Sequence, residues 1–580
     1  MKVTDDAQSV RYEHYNTADA IVSRIYGASD GELRLETGTN GNQKGVVVKP
    51  AGAVEAYHNN NKKLETTSSG INVTGQINVN GSPLSAAPEI TATASGAIGS
   101  EKSLLVNTNG TISEVGTIAA TVGNPVTSQT GNSQNYHRLL YWEGNKYIYG
   151  RQHGPSGTLK VQVITINANN SLSFGSELDY GTLQNNYMEP YSFILNYDKD
   201  TLYTLQQYNT SGHMNYAINS LSGTTISAAS ANGIVNNSGA MSNMAQFKQA
   251  NGTMSFFYKR GQNSTMAYRG MNTSGPNSGP TTMISSVNNS WGNFTSCYIP
   301  WLDKNLLFYR NSSAEGFIRM VNMNSSAGYQ SMGTAYQIAS GGWGDNHYNT
   351  WSRATPSFAV DTVNQRVAFF YQKNNAQSDQ GVHYRIITSI ASNGSMTVGA
   401  KQTVTTNISR AIHADYDSAN NQFVMVYNDN SDSDKGKMFK GTSASPALTN
   451  TSTTTFQSAS DIYPENDRTM AFAMGSNGGS QGLIAFTNNT SGNNTRNFQV
   501  YNGESTNLTS ENFVGFAKSG VSNGQSVTAK VTGNTSTQSS LTAGQKYYVQ
   551  KDGTLGLTPV SGTSVEAGLA LSSTKLLIKG

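Results

Sequence analysis

Between Gly341 and Trp351 the chain gathers Trp343, Asp345, His347, Tyr348 and Trp351 among glycines and asparagines. Aromatic faces beside amide and carboxylate side chains suit a sugar ring, which stacks its C–H face and hydrogen-bonds through its hydroxyls. The same indoles at a junction of β-repeats would serve equally as core, so both readings stand at this point. The stretches 185–191 and 288–294 are weaker versions of the same composition. Asp429, Asp432 and Asp434 offer oxygen ligands at the close spacing of a Ca²⁺ loop, but no bidentate glutamate closes the run, and a solvated loop is the first expectation. The eight histidines are scattered singly without a His-x-x-x-His pair, so no transition-metal centre is expected. Glu55 and His58 carry a spacing that converges only on a helix, and they are read as solvated. Gly520-Val-Ser-Asn-Gly524 matches the nucleophile-elbow pattern but has no helix signal after it. No catalytic residue and no cofactor is expected from these elements.

Positioning such residues falls to short strands and turns. Charged residues are 13% of the chain and the formal net charge is +3, too little field for nucleic acid, while 58 glycines and a wealth of Asn, Ser and Thr read as turns between strands. No apolar run is long enough to span a bilayer, and the polar N-terminus lacks a secretory core, so the expectation is synthesis in a cytoplasm without membrane insertion. The single cysteine, Cys297, excludes an internal disulfide and is expected to be a small buried residue in the run 295–301.

Residues 1–81 alternate polar and apolar types in segments such as 32–37 and 70–81, with a short helix expected near 17–26. Strands this short bury their apolar face most readily by winding around identical copies. Residues 82–130 read as a linker with short strands. From 131 to 508 a long repeat recurs: an apolar strand, a polar turn and a second aromatic-rich strand, starting near 137, 192, 244, 296, 357, 411 and 469. A weaker pair lies between consecutive hairpins, as at 159–174 and 382–398. Four strands per repeat and seven repeats predict a seven-bladed β-propeller, with a run of β-sandwiches as the alternative. The apolar hairpin is expected inside and the Asn/Ser-rich hairpin outside. Residues 509–580 predict a small C-terminal β-module with a hairpin turn at Asp552-Gly553. The fold class is therefore all-β throughout. Glycan-cleaving propellers often carry a Ser-x-Asp-x-Gly-x-x-Trp box, and the seven turns lack it. Hydrolysis would need two carboxylates brought together in space, which leaves a surface-polysaccharide depolymerase as the rival of another class.

The segment from Glu55 to Gly75 resembles a module of tail fibres and virion structural proteins of tailed bacteriophages. The segments 541–555, 567–571 and 573–580 are similar to another module at the ends of such proteins. The resemblance implies a particle protein attached to the tail or capsid, a homotrimer in its slender part, with other virion proteins as partners and a host-surface glycan or protein as target. It implies assembly on an external appendage of the virion after synthesis in the bacterial host, with a tail fibre as the main expectation and a capsid-attached fibre or decoration protein as the alternative. The propeller is matched by no motif of the resemblance.

Overall fold

The computed structural model describes residues 2–579 except 7–8, 39–41, 80–81, 84–87, 131–133, 154–157, 183–190, 209–212, 230, 237–241, 249, 251–253, 260–264, 273, 277–280, 286, 288–293, 314, 325–327, 340–355, 374–379, 408, 410, 459–461, 463–469, 476–479, 491–492 and 561–563. The chain divides into two compact units, one of residues 1–113, 514–546 and 567–580 and one of residues 114–513 and 547–566. Strands dominate both, and the described residues contain no α-helix.

The first unit opens with an eight-stranded antiparallel meander in sequence order, Lys2–Asp6, Ser9–Tyr15, Ile21–Gly27, Leu33–Thr37, Gln43–Val48, Val54–His58, Asn61–Thr67 and Gly70–Val73. The helix expected near 17–26 is a turn followed by the strand Ile21–Gly27, because Ile21, Val22 and Ile25 are β-branched residues that pack best on a pleated surface. Alternation puts one chemistry on each face. Tyr12, Ile25, Leu35, Val46, Ala56, Leu64 and Val73 stand opposite one another from strand to strand and form one apolar row. The other face carries Glu13, Arg24, Glu36 and Glu55 with their partners.

A second sheet of this unit joins distant sequence in the order Glu89–Thr93, Ser526–Lys530, Phe513–Ala517, Ser103–Val106 and Ile112–Glu114. Its core holds Leu104, Ile112, Ala517 and Val527. Glu101 fastens the loops: it accepts from Ser536 Oγ at 2.7 Å and from the backbone N of Thr537 at 3.1 Å, and it pairs with Lys530. Residues 89–114, expected as linker, are thus integral strands of the body that contains much of the C-terminal module.

The second unit is propeller-like. Seven antiparallel sheets follow one another among the described residues, their first strands being Gln134–Glu143, Tyr191–Leu195, Ser242–Lys248, Thr295–Ile299, Ser357–Asp361, Ile412–Asp417 and Met470–Met474. The hairpins expected from the repeat coincide with the first two strands of each. We number these sheets 1 to 7. Each of sheets 1 to 6 completes itself with a third strand and an outer fourth strand, which in sheets 1 to 5 is broken in two. Sheet 7 takes its outer strand from Thr121–Val122 and Val126–Thr130, which pair with Asn493–Asn502. The segment expected to end the linker is therefore the clasp of the last sheet.

Apolar side chains from the middle strands fill the junctions between sheets. Ile148 of sheet 1 shares a core cluster with Leu202 of sheet 2, Leu205 with Phe256, Phe257 with Leu307, and Val426 with Phe472, while the rings of Phe308 and Phe369 and of Phe370 and Phe439 are in contact. Sheet 7 then returns to sheet 1, where Phe498 sets its ring edge against Tyr149 with centroids 4.9 Å apart. Each such phenylalanine contributes about 1.5–3 kcal/mol on burial. The expected inside-outside division is graded rather than split between hairpins: in sheet 6 the second strand is buried at seven of eight residues and the third at four of eight, while the fourth, Thr449–Gln457, faces solvent. The Asp552-Gly553 turn joins Lys546–Val549 to Leu555–Gly556 as expected. Gly553 has φ +80° and a Cβ there would lie 2.5 Å from the Val115 carbonyl oxygen, so only glycine fits.

Candidate functional site

Trp343, Asp345, His347, Tyr348 and Trp351 lie outside the described residues, as does most of 185–191 and 288–294. In the acidic loop the three carboxylates turn to separate partners. Asp429 accepts from the backbone N of Ser431 at 3.1 Å and from Asn407 Nδ2 at 3.2 Å, Asp432 pairs with Lys435 at 2.7 Å and with Lys437, and Asp434 accepts from Asn428 Nδ2 at 3.0 Å. Two lysines on one carboxylate oppose a cation. No group of three ligating side chains converges among the described residues.

Glu55 is not solvated. It is 4% exposed in the N-terminal sheet and accepts from Tyr57 Oη at 2.5 Å and Lys62 Nζ at 3.0 Å. The Tyr57 hydroxyl, ahead of Lys62 and Lys49, holds its carboxyl down at about 2. Glu36 is bound likewise by Arg24 Nη2 at 2.6 Å and Tyr26 Oη at 3.0 Å, and Glu32 by Arg34 Nε at 2.7 Å and by Lys49. Long basic side chains and tyrosines lie over the carboxylates and bury them, while the apolar face stays in water: Leu33 is 50% exposed and Ile71 64%. Seven of the sixteen exposed large hydrophobic residues of the described chain fall between Tyr12 and Ile77.

At the junction of sheets 7 and 1 lies a second polar cluster, buried except for Glu177 at its rim. His137 is hydrogen-bonded through Nδ1 to Tyr149 and through Nε2 to Thr487 Oγ1 at 2.6 Å. Arg151 Nη2 pairs with Glu177 Oε1 at 2.7 Å and Arg496 Nη1 with the same oxygen at 3.1 Å, while Arg496 Nε donates to Ser128 Oγ of the clasp strand at 2.6 Å. Burial, and then the charges of Arg496 and Arg151, push His137 well below its usual range, so it is neutral. Burial opposes the Glu177 charge, but the two arginines outweigh it and hold that carboxyl low. These groups are saturated by one another and fasten the clasp.

A cavity of about 400 Å³ opens over the turns of sheets 4, 5 and 6. Trp301 contributes from the turn after Thr295–Ile299, Asn364, Gln365 and Arg366 from the turn between Ser357–Asp361 and Arg366–Lys373, Thr388, Ser389 and Ile390 from the end of the third strand of sheet 5, and Ser445 from sheet 6. Trp301 is half-buried against the junction core of sheets 4 and 5. The turn is built by the fully buried Asp361. Its Oδ1 accepts from the backbone N of Val363 at 3.0 Å and of Asn364 at 2.9 Å, and its Oδ2 accepts from Asn364 Nδ2 at 2.8 Å and from Ser443. Asn364 Nδ2 also donates to Asn421 Oδ1 at 2.9 Å, which leaves Oδ1 as the group Asn364 can offer. Arg366 has one hydrogen-bond partner, Ser443 Oγ at 3.5 Å, and faces no carboxylate among the described residues. Trp301 and Arg366 were not picked out from sequence, because the cavity joins three repeats and no local motif spans them.

Neither a protein-family model nor a curated protein matches the sequence. Solved structures similar to the chain include the periplasmic gluconolactonase PpgL of Pseudomonas aeruginosa, at 9% identity over 64% of this chain and 97% of that one with a TM-score of 0.40. They also include the polysaccharide lyase Uly1, at 8% identity over 71% and 100% with a TM-score of 0.39, and the β-propeller domain of the Trilobed protease from Pyrococcus furiosus, at 7% over 64% and 97% with a TM-score of 0.33. The propeller-like architecture stands on the sheet order of the chain itself, and similarity at this level carries no activity across.

Proposed function

We propose that this chain is a structural and adhesive subunit of a bacteriophage particle, a tail-fibre type protein whose N-terminal sheet assembles copies and whose seven sheets form a seven-bladed propeller presented as a head. The observation that carries the reading is the row from Tyr12 to Val73, apolar across seven strands and exposed at Tyr12, Ile25, Leu35 and Val73. A lone sheet must bury its apolar face against something. Covering the exposed half of each of these side chains contributes roughly 1 kcal/mol, and several per chain reach the range of about 4–15 kcal/mol that association costs in lost freedom. Three copies turning this face inward satisfy it while leaving the charged face in water. Return of the outer strand of sheet 7 from residues 121–130, and the contact of sheet 7 with sheet 1, support the closed propeller. Host adhesion by such a head is multivalent: weak contacts on linked copies act at high effective concentration.

The test is the mass of the full-length protein by light scattering, together with incubation on bacterial surface polysaccharide. Three chain masses and retention without released fragments are expected. A single chain mass overturns the assembly reading, and released fragments favour a depolymerase.

A further inference from the structure

Two turns of the propeller-like unit are built alike, and the difference between them points to a ligand. In sheet 6, Asp417 repeats the role of Asp361: it accepts from the backbone N of Asn420 at 3.3 Å, from Asn420 Nδ2 at 2.9 Å and from Ser480. There the amide oxygen of Asn420 is taken, because Lys551 Nζ donates to it at 2.8 Å and to the Ala419 carbonyl oxygen at 2.6 Å. In sheet 5 the corresponding Asn364 oxygen accepts from no donor among the described residues, and Asn364 lines the cavity with Trp301 and Arg366, whose guanidinium pairs with no carboxylate among those residues.

We propose that this cavity is a saccharide site for an acidic sugar residue, a uronate or a sulfated sugar, of a surface polysaccharide. The choice rests on the adhesive reading above and deepens it. A cavity of about 400 Å³ lies at the small end of ligand pockets, roughly 300–1,000 Å³, the size of one or two sugar rings. The surface lining the cavity is almost wholly polar, with the Trp301 indole packed into the core behind it, so hydrogen bonds and charge rather than stacking would hold the sugar. The guanidinium supplies a fork for a carboxylate or sulfate. The Asn364 oxygen accepts from a sugar hydroxyl, and the hydroxyls of Ser389 and Ser445 donate or accept as the sugar requires. A cationic ligand would meet the Arg366 guanidinium first, since the Asp361 carboxylate is buried behind it and occupied by its own turn and Ser443, and a wholly apolar one would leave the amide oxygen and guanidinium unanswered.

The full-length protein is titrated calorimetrically with a galacturonate tetrasaccharide, a sulfated tetrasaccharide and uncharged maltotetraose. Binding of one acidic probe, weakened more than tenfold by Arg366→Gln but not by the remote Lys160→Gln, is expected. The preferred acidic probe tells carboxylate from sulfate. Unchanged acidic binding in Arg366→Gln overturns the site. Equal binding of maltotetraose overturns the acidic class and leaves the adhesive reading intact. No binding of any probe overturns the site, while the scattering mass judges the assembly reading separately.

Discussion

In the N-terminal sheet Glu13, Glu36 and Glu55 are buried while Leu33, Leu35 and Ile71 meet water; in the propeller-like unit phenylalanines such as Phe256, Phe308 and Phe369 are fully buried and the outer strands are Thr- and Asn-rich. Both regions are antiparallel hairpins of similar strand length. The difference lies in the layers. Each sheet of the propeller-like unit has a neighbour in the same chain to receive its apolar residues, whereas the N-terminal sheet hides its charges under their own counter-ions and leaves much of its apolar row exposed. Burial within one chain reports self-sufficiency, and the exposed apolar order is the feature on which the proposed assembly of copies rests.

Several substitutions break or sharpen this contrast. The largest effect belongs to the junction core: Phe369→Ala should destabilise the propeller-like unit by about 3–5 kcal/mol, read by denaturant unfolding with tryptophan fluorescence. That probe isolates one region, since Trp142, Trp291, Trp301, Trp343 and Trp351 all fall within residues 114–513. Next, Glu177→Gln strips Arg151 and Arg496 of their shared carboxylate. Breaking a fully buried pair costs about 3–5 kcal/mol; the Glu177 side chain is 29% exposed, so a loss nearer 2 kcal/mol is expected by the same measurement.

Acid should separate the regions too. His137 and His413 are buried neutral, the latter brought down to about 4 by burial, so the unfolded chain takes up their protons first and stability falls as pH drops below 6.5 toward 4. Asp415, which burial raises to about 6, works the other way in the same window, and its shift is close in size to that of His413. The net loss then rests on His137, and His137→Gln should flatten the fluorescence-detected stability profile over that range. In the N-terminal sheet the depressed Glu55 contributes stability that is present above its ordinary range and lost only as pH falls through about 2, so hydrogen exchange of that sheet should remain slow at pH 4. The smallest effect is at Lys62, whose side chain is 38% exposed: Lys62→Ala should change stability by less than about 1 kcal/mol.

How far the sequence carried these conclusions varies with the distance between partners. The hairpins at 137, 192 and 411 were legible because aromatic-rich strands flank Asp and Asn turns in local sequence. The clasp was not, since Val126 pairs with Phe498 and neither neighbourhood announces the other. For the same reason the pairing of Ile90 with Ala529 was hidden in an apparent linker. Glu55 was read as solvated because its partners Lys62 and Tyr57 become neighbours only once the meander forms, and the helix near 17–26 failed where β-branching at Ile21, Val22 and Ile25 outweighed a loose turn-like composition. The cavity over sheets 4 to 6 was invisible for a related reason: Trp301, Arg366 and Ser445 come from three repeats.

The proposed assembly face is tested most directly by placing a thiol on it. The native chain has one cysteine, Cys297, whose thiol burial pushes far above its usual range and keeps unreactive. Leu35→Cys, on the apolar row, should form a covalent pair of chains under mild oxidation at micromolar protein. Lys44→Cys, on the charged face where Lys44 lies over the Tyr57 ring, should not. Equal cross-linking from both positions, or none from Leu35→Cys, would contradict the claim that copies of this chain meet through the row from Tyr12 to Val73.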